Sequence, residues 1–226
     1  MPNHAKKAKR YSAGRYKSLA ERAYYHIEEM IVTLQLEPGA VLSEQQLAEE
    51  LSVGRSPVRE AIQRLAYEKL VVVLPRRGIL VSDINLRSHR KLLLVRRELE
   101  RLMVRLTCAA ATDEQIAGFR RFAEDFQRQA KDNDVRGFVR TDAAFNKLLA
   151  ESVDNEFARN AVQLTRGLSR RFWFKYYQVA DLKRCASLHA ALAKAIAERN
   201  ADEAGRALDR LIDYMEEFTR AVLDVR

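Results

Sequence analysis

The sequence predicts a mainly α protein, in which three short helices and a β-hairpin precede an all-α bundle of six longer helices. Three observations predict it. Apolar residues recur at three- and four-residue steps along most of the chain, the period of helices with one buried face. A strand-like signal occurs in one place, where Val71-Val72-Val73-Leu74 and Ile79-Leu80-Val81 flank Pro75-Arg76-Arg77-Gly78, the composition of a hairpin. Prolines and glycines are few, 4 and 8 in 226 residues, as suits a folded, helix-rich chain.

Each element follows from local chemistry. Residues 1–17 hold six Lys/Arg and no acid, and read as a basic disordered arm. From Ser18 to Leu36, the apolar positions Leu19, Ala23, Ile27, Met30, Ile31 and Leu34 mark a first amphipathic helix, closed by Pro38-Gly39. Ser43-Glu44-Gln45-Gln46 reads as a capping box for a short second helix ending near Leu51. After Ser52-Val53-Gly54-Arg55, Ser56 is expected to cap a third helix with Pro57 at its first position, burying Val58, Ile62 and Leu65. Helix, helix, helix and hairpin make a winged helix-turn-helix over residues 18–82. A linker at 83–87 then leads to six helices at about 88–111, 113–131, 134–153, 155–178, 181–199 and 202–223, within a second domain spanning 88–226.

Composition excludes several classes. No apolar run reaches the roughly 18 residues of a membrane span, and the basic start lacks the apolar stretch of a secretory signal, so a cytoplasmic protein without membrane partners is expected. Cys108 and Cys185 lack zinc or redox spacing and read as buried thiols. There is no nucleophile elbow, phosphate loop or paired catalytic carboxylate, so no enzyme is expected. The net charge of +9 does not by itself argue for nucleic acid, because residues 19–82 hold seven basic and nine acidic side chains.

Placement of the arginines carries that argument instead. Arg55, Ser56, Arg59 and Arg64 gather near the N-terminal end and along one side of the third helix, and Arg76, Arg77 and Gly78 at the hairpin turn. A recognition helix enters the major groove by its N-terminal end, where an arginine fork matches guanine and phosphate. Gly78 is expected to let the wing's backbone approach DNA closely. Operator double-stranded DNA is the expected partner, bound by a homodimer.

The stretch 42–81, LSEQQLAEELSVGRSPVREAIQRLAYEKLVVVLPRRGILV, closely resembles the winged-helix signature of the GntR family of bacterial regulators. The family pattern has Ser or Thr where this chain has Gly54, and often a basic residue near Gln45. The resemblance implies operator contacts at Arg55, Ser56, Arg59 and Gly78. The helical half is similar to the ligand-sensing FCD-type domain of the FadR subfamily, through Arg96-Arg97-Glu98-Leu99-Glu100, Thr141-Asp142-Ala143-Ala144-Phe145-Asn146 and Leu188-His189, and its six helices match the VanR-like branch.

That second resemblance implies a small-molecule effector and a divalent ion, zinc or nickel. The family's metal ligands are one Asp and three His. Here Asp142 and His189 stand at two of these positions, Asn146 replaces a third and Leu211 falls at the fourth, so the set is degenerate. Alternatively, Asp142, Asn146 and His189 form a hydrogen-bond network or meet the effector directly. Without a metal, arginines must neutralise an anionic effector. Arg96, Arg166 and Arg170 are the candidates, beside the aromatic run Phe172-Trp173-Phe174-Lys175-Tyr176-Tyr177, most of which reads as core. A carboxylated or aromatic metabolite, turning a repressor on or off, is the expectation. The alternative is a DNA-binding dimer whose helical domain senses nothing.

Overall fold

The computed structural model describes residues 18–224. The arm read at 1–17 lies outside them. Three helices come first, α1 (Leu19–Val32), α2 (Glu44–Leu51) and α3 (Arg55–Tyr67). A three-stranded antiparallel sheet accompanies them, made of β1 (Val41–Leu42), β2 (Val71–Leu74) and β3 (Gly78–Val81) in the order β1-β3-β2. The expected hairpin is present, with Leu74 opposite Gly78. The strand β1 was not expected. Two residues carry no readable alternation, and β1 exists because Val41 and Leu42 pair with Leu80 and Ile79.

Local details correct two helix starts. Gly54, not Ser56, is the N-cap of α3, without a side-chain hydrogen bond, so Arg55, Ser56 and Pro57 occupy its first three positions. Proline is still tolerated there, because the first four N–H groups of a helix have no internal partner. Ser43 does cap α2 by accepting from the Gln46 N–H at 3.1 Å, and its hydroxyl also lies 3.1 Å from Gln46 Oε1.

The remaining helices are α4 (Leu86–Ala110), α5 (Asp113–Asp132), α6 (Val135–Glu151), α7 (Glu156–Tyr176), α8 (Leu182–Ala197) and α9 (Ala201–Asp224). Asn85 caps α4 by accepting from the Ser88 N–H at 2.9 Å, so the helix begins two residues before the expected start. Asp132-Asn133 ends α5 through a left-handed Asn133, and Thr112 with Gln115 forms a full capping box at its start.

Two apolar clusters hold the chain together. Tyr24, Ile27, Ile31, Leu47, Val58, Ile62, Leu65, Leu70 and Ile79 fill the winged helix. Phe119, Phe126, Phe145, Leu149, Val162, Phe172, Ile196, Leu208 and Phe218 fill the bundle, where α5 packs on α8 and α9 on both α4 and α8. Arg97 fastens α4 to α9 through Asp209, Asp213 and Glu216.

Helix α7 serves both clusters. Phe172 and Trp173 lie in the bundle core, whereas Leu168 packs against the winged-helix core. Gly167 permits this closeness, since a Cβ there would come within 2.8 Å of Leu70 Cδ1 and 3.2 Å of Glu28 Oε1.

Candidate functional site

The candidate DNA-facing surface starts from the helix-turn-helix geometry. Val58, Ala61, Ile62 and Leu65 turn one side of α3 into the core, which leaves Arg55, Ser56, Arg59 and Gln63 exposed on the other. The same turn sets the start of α2 against the start of α3. Arg55 Nη2 donates to Gln45 Oε1 at 2.7 Å, and Arg59 grips the Glu44 carboxylate through Nε at 3.1 Å and Nη2 at 2.9 Å. Hydrogen bonding to Arg59 holds the Glu44 carboxyl below its ordinary pKa. Glu44 and Gln45 were not picked out by sequence, because only the fold brings them to arginines ten and fifteen residues away.

Two expected contacts change meaning. Arg64 does not share the face of Arg55 and Arg59; at about 100° per residue it lies roughly 180° round α3 from Arg55. Its guanidinium sits 3.6 Å from the Tyr24 ring centroid, and its Nε donates to Glu68 at 3.2 Å. Gly78 has φ +99°, and a Cβ there would come within 2.8 Å of the Leu42 carbonyl, so the β1–β3 pairing inside the domain demands glycine. Arg76 and Arg77 stand exposed at the wing's turn.

Inside the bundle, Arg96, Asp142, Ser169, Arg170, Trp173, Cys185 and His189 surround a cavity of about 20 Å³. That is room for about one water molecule. Arg96 is already engaged, its Nε to Glu100 at 3.0 Å and its Nη1 to Ser169 Oγ at 2.8 Å. Asp142 is shared by three groups: Asn146 Nδ2 donates at 2.9 Å, His189 Nε2 lies at 3.3 Å and Arg170 Nη1 at 3.5 Å. Burial opposes both charges of the Asp142–His189 pair. The contacts win: His189, Arg170 and Arg96 hold Asp142 well below the carboxylate range, and Asp142 with Cys185 raises His189 to about 10. The pair is therefore ionic at neutral pH.

These residues do not fit a divalent ion. His189 Nδ1 donates to the Cys185 carbonyl at 2.9 Å, which leaves its Nε2, turned to Asp142, as the single nitrogen donor it could offer. Both Asp142 oxygens already meet cationic or N–H partners, and the fourth family position is the buried apolar Leu211. Among the described residues, no three His, Cys, Asp or Glu side chains gather as metal ligands. The Arg170 guanidinium and the His189 imidazolium supply the positive charge beside Asp142.

Arg170 also leaves the bundle. Its Nη2 pairs with Glu28 of α1, both side chains being about nine-tenths buried. A continuous ionic chain, His189–Asp142–Arg170–Glu28, therefore runs from the cavity to the first helix of the winged helix. Beside it, Tyr24 donates to Glu68 Oε2 at 2.7 Å, and Gln163 of α7 donates to Glu68 Oε1 at 2.8 Å. Burial and the Glu28 charge raise Glu68 to about 7. At the periphery, Arg140 and Lys147 of α6 pair with Glu29 and Glu21 of α1. Arg166, expected in the cavity, lines a larger cleft between α1 and α7 instead, and Asn146 lines that cleft while its amide reaches back to Asp142. Sequence offered one signal for this seam: Arg159, Gln163, Arg166 and Arg170 recur at four, three and four residues, one face of α7.

A winged helix with arginines on the outer face of its third helix and at its wing, joined to an all-helical domain with a polar cavity, defines a DNA-binding transcription regulator with a sensory-type partner domain. The profile described as "Bacterial regulatory proteins, gntR family" matches residues 19–81, and that of the FCD domain matches residues 91–214. The chain belongs to the GntR family, in its FCD-domain form, whose members are transcription factors and not enzymes. It is 23% identical over 207 residues to the HTH-type transcriptional repressor RspR of Escherichia coli, covering 91% of this chain and 90% of that one. It is 28% identical over 175 residues to the Nta operon transcriptional regulator of Aminobacter aminovorans, covering 77% and 81%. The solved structure of E. coli McbR/YncC shares the fold at a TM-score of 0.73 and 19% identity, covering 93% of this chain and all of that one. Among the described residues, no helix is long and apolar enough to cross a membrane.

Proposed function

We propose that this regulator is a repressor of the FadR subfamily, in its VanR-like branch, that acts in the cytoplasm as a homodimer and is released from its operator by a small carboxylated or aromatic metabolite. Arg55, Ser56 and Arg59 would meet base edges and phosphates in the major groove, and Arg76 and Arg77 the adjoining minor groove. Two such domains related by a twofold axis would reach half-sites about one helical turn apart.

The observation that carries the sensing role is the ionic chain His189–Asp142–Arg170–Glu28. An anion entering the cavity competes with Asp142 for Arg170 and with Glu100 for Arg96. Whatever changes the position of Arg170 changes its hold on α1. A ligand shifts such an equilibrium only by its differential affinity for the two arrangements, and Arg170 supplies one that involves both domains.

The cavity's small volume favours a second reading, in which the bundle dimerises and binds no effector. The two separate when the protein–operator complex is titrated with a panel of aromatic and aliphatic carboxylates. Sensing predicts that at least one weakens operator binding about tenfold, and that Arg96→Ala binds operator normally but ignores it. Operator affinity unmoved by every carboxylate favours the second reading.

A further inference from the structure

The cleft between the two domains is lined by a buried arginine whose hydrogen bonding is incomplete among the described residues. It has a volume of about 680 Å³, walled by α1 and α3 on one side and by α6 and α7 on the other. Small-molecule sites commonly enclose about 300–1,000 Å³. Five cationic and three acidic side chains line it. Of these, Arg170 is paired with Glu28, Lys147 with Glu21, and Arg64 with Glu68 just behind the wall.

Arg166 is different. It is 8% exposed, its Nη1 donates to the Asn146 carbonyl at 2.6 Å, and among the described residues its Nε and Nη2 have no hydrogen-bond partner. The nearest carboxylate oxygen, on Glu100, is 3.8 Å away, beyond hydrogen-bond reach. Burial pulls its pKa down to about 10, so it stays charged at neutral pH. Arg159 lies seven residues earlier on the same face of α7, half-buried, with Nη1 donating to the Val153 carbonyl at 2.7 Å. Gln163, one turn from each, adds an amide to the row.

We propose that this interdomain cleft is a second ligand site, separate from the bundle cavity, for a small organic anion with two or more carboxylate or phosphate groups. One anionic group completes the hydrogen bonding of Arg166 at the cleft floor, and another meets Arg159 nearer the rim. Seven helical residues separate the two arginines by roughly 10 Å along the axis, which a single-headed anion does not span. The opposite wall carries Tyr24, Tyr25 and Arg64 of the DNA-binding domain, so the occupant touches both domains at once.

The test is calorimetric titration of the full-length protein with citrate and, separately, with inorganic pyrophosphate. Wild-type protein is expected to bind at least one of them. Arg166→Gln should weaken that binding at least tenfold and Arg159→Gln severalfold. Citrate alone identifies a carboxylate ligand, pyrophosphate alone a phosphate ligand, and either supports the site. Arg166→Lys, which keeps the charge, is expected to recover part of the affinity. Should Arg166→Gln fail to fold, as its melting curve would reveal, Arg159→Gln carries the test. Absence of binding by both probes at millimolar concentration overturns the proposal. So does unchanged binding in both the Arg159 and Arg166 variants, which assigns the anion to a site elsewhere. Failure here leaves the sensing role of the bundle cavity untouched.

Discussion

If the ionic chain couples the bundle to the winged helix, Glu28 and Arg170 must depend on each other. Both side chains are about nine-tenths buried, so little solvent screens the pair. Removing one partner of such a pair leaves a buried uncompensated charge and costs about 3–5 kcal/mol. Glu28→Gln should therefore lower stability by about 3 kcal/mol. Arg170→Gln should cost more, about 4 kcal/mol, because Asp142 Oδ2 at 3.5 Å also loses its cation. Glu28→Gln combined with Arg170→Gln should cost no more than the Arg170 change alone, a coupling of about 3 kcal/mol. Urea denaturation of the four proteins at one fixed protein concentration measures it. Single effects that add to within about 0.5 kcal/mol would mean that Glu28 and Arg170 are not coupled, since independent sites add to that tolerance.

Three further outcomes follow from other contacts. Glu44→Gln removes the carboxylate that Arg59 grips in the absence of DNA, so DNA binding should tighten at all sequences and the slope of log affinity against log salt should steepen by about one, as read by fluorescence anisotropy. Gly167→Ala places a methyl against Leu70 and Glu28, and should cost about 1–3 kcal/mol in thermal or urea unfolding while leaving helix content unchanged. Glu68 has a folded pKa near 7, above its ordinary value of 4.5, so the native state binds more protons and its contribution falls as pH rises through 7. His89 and His189 titrate as well, so the quantity to follow is the stability of wild type minus that of Glu68→Gln, which should drop by about 2 kcal/mol from pH 5 to 7.

Helices were legible because their burial is one-sided and periodic: α5, α8 and α9 each lie within two residues of the sequence expectation. What failed was short or non-local. The strand β1 depends on a partner nearly forty residues away, and the Ser56-Pro57 signal was outweighed by a helix start at Arg55 that no side chain caps. The proposed DNA face was half legible. Arg55 and Arg59 are exposed as their positions implied, but Arg64 belongs to a seam that only the packing of α1 against α3 and α7 creates.

The effector residues divide for the same reason. Arg96, Asp142 and His189 surround the bundle cavity, whereas Arg166 and Arg170 share a helix face and both line the cleft, Arg170 alone reaching the cavity as well. One lines an open cleft and the other bridges cavity and winged helix. Helical periodicity gives the face of a residue, and the partner across that face comes from more than a hundred residues away.

The proposed function places sequence-specific DNA recognition at the start of α3. Selection of binding sites from a random double-stranded DNA pool tests it whatever the operator sequence is. Wild-type protein should enrich an inverted repeat whose half-sites lie about one helical turn apart, and a variant carrying both Arg55→Ala and Arg59→Ala should enrich nothing. Enrichment of the same repeat by that variant would contradict the account.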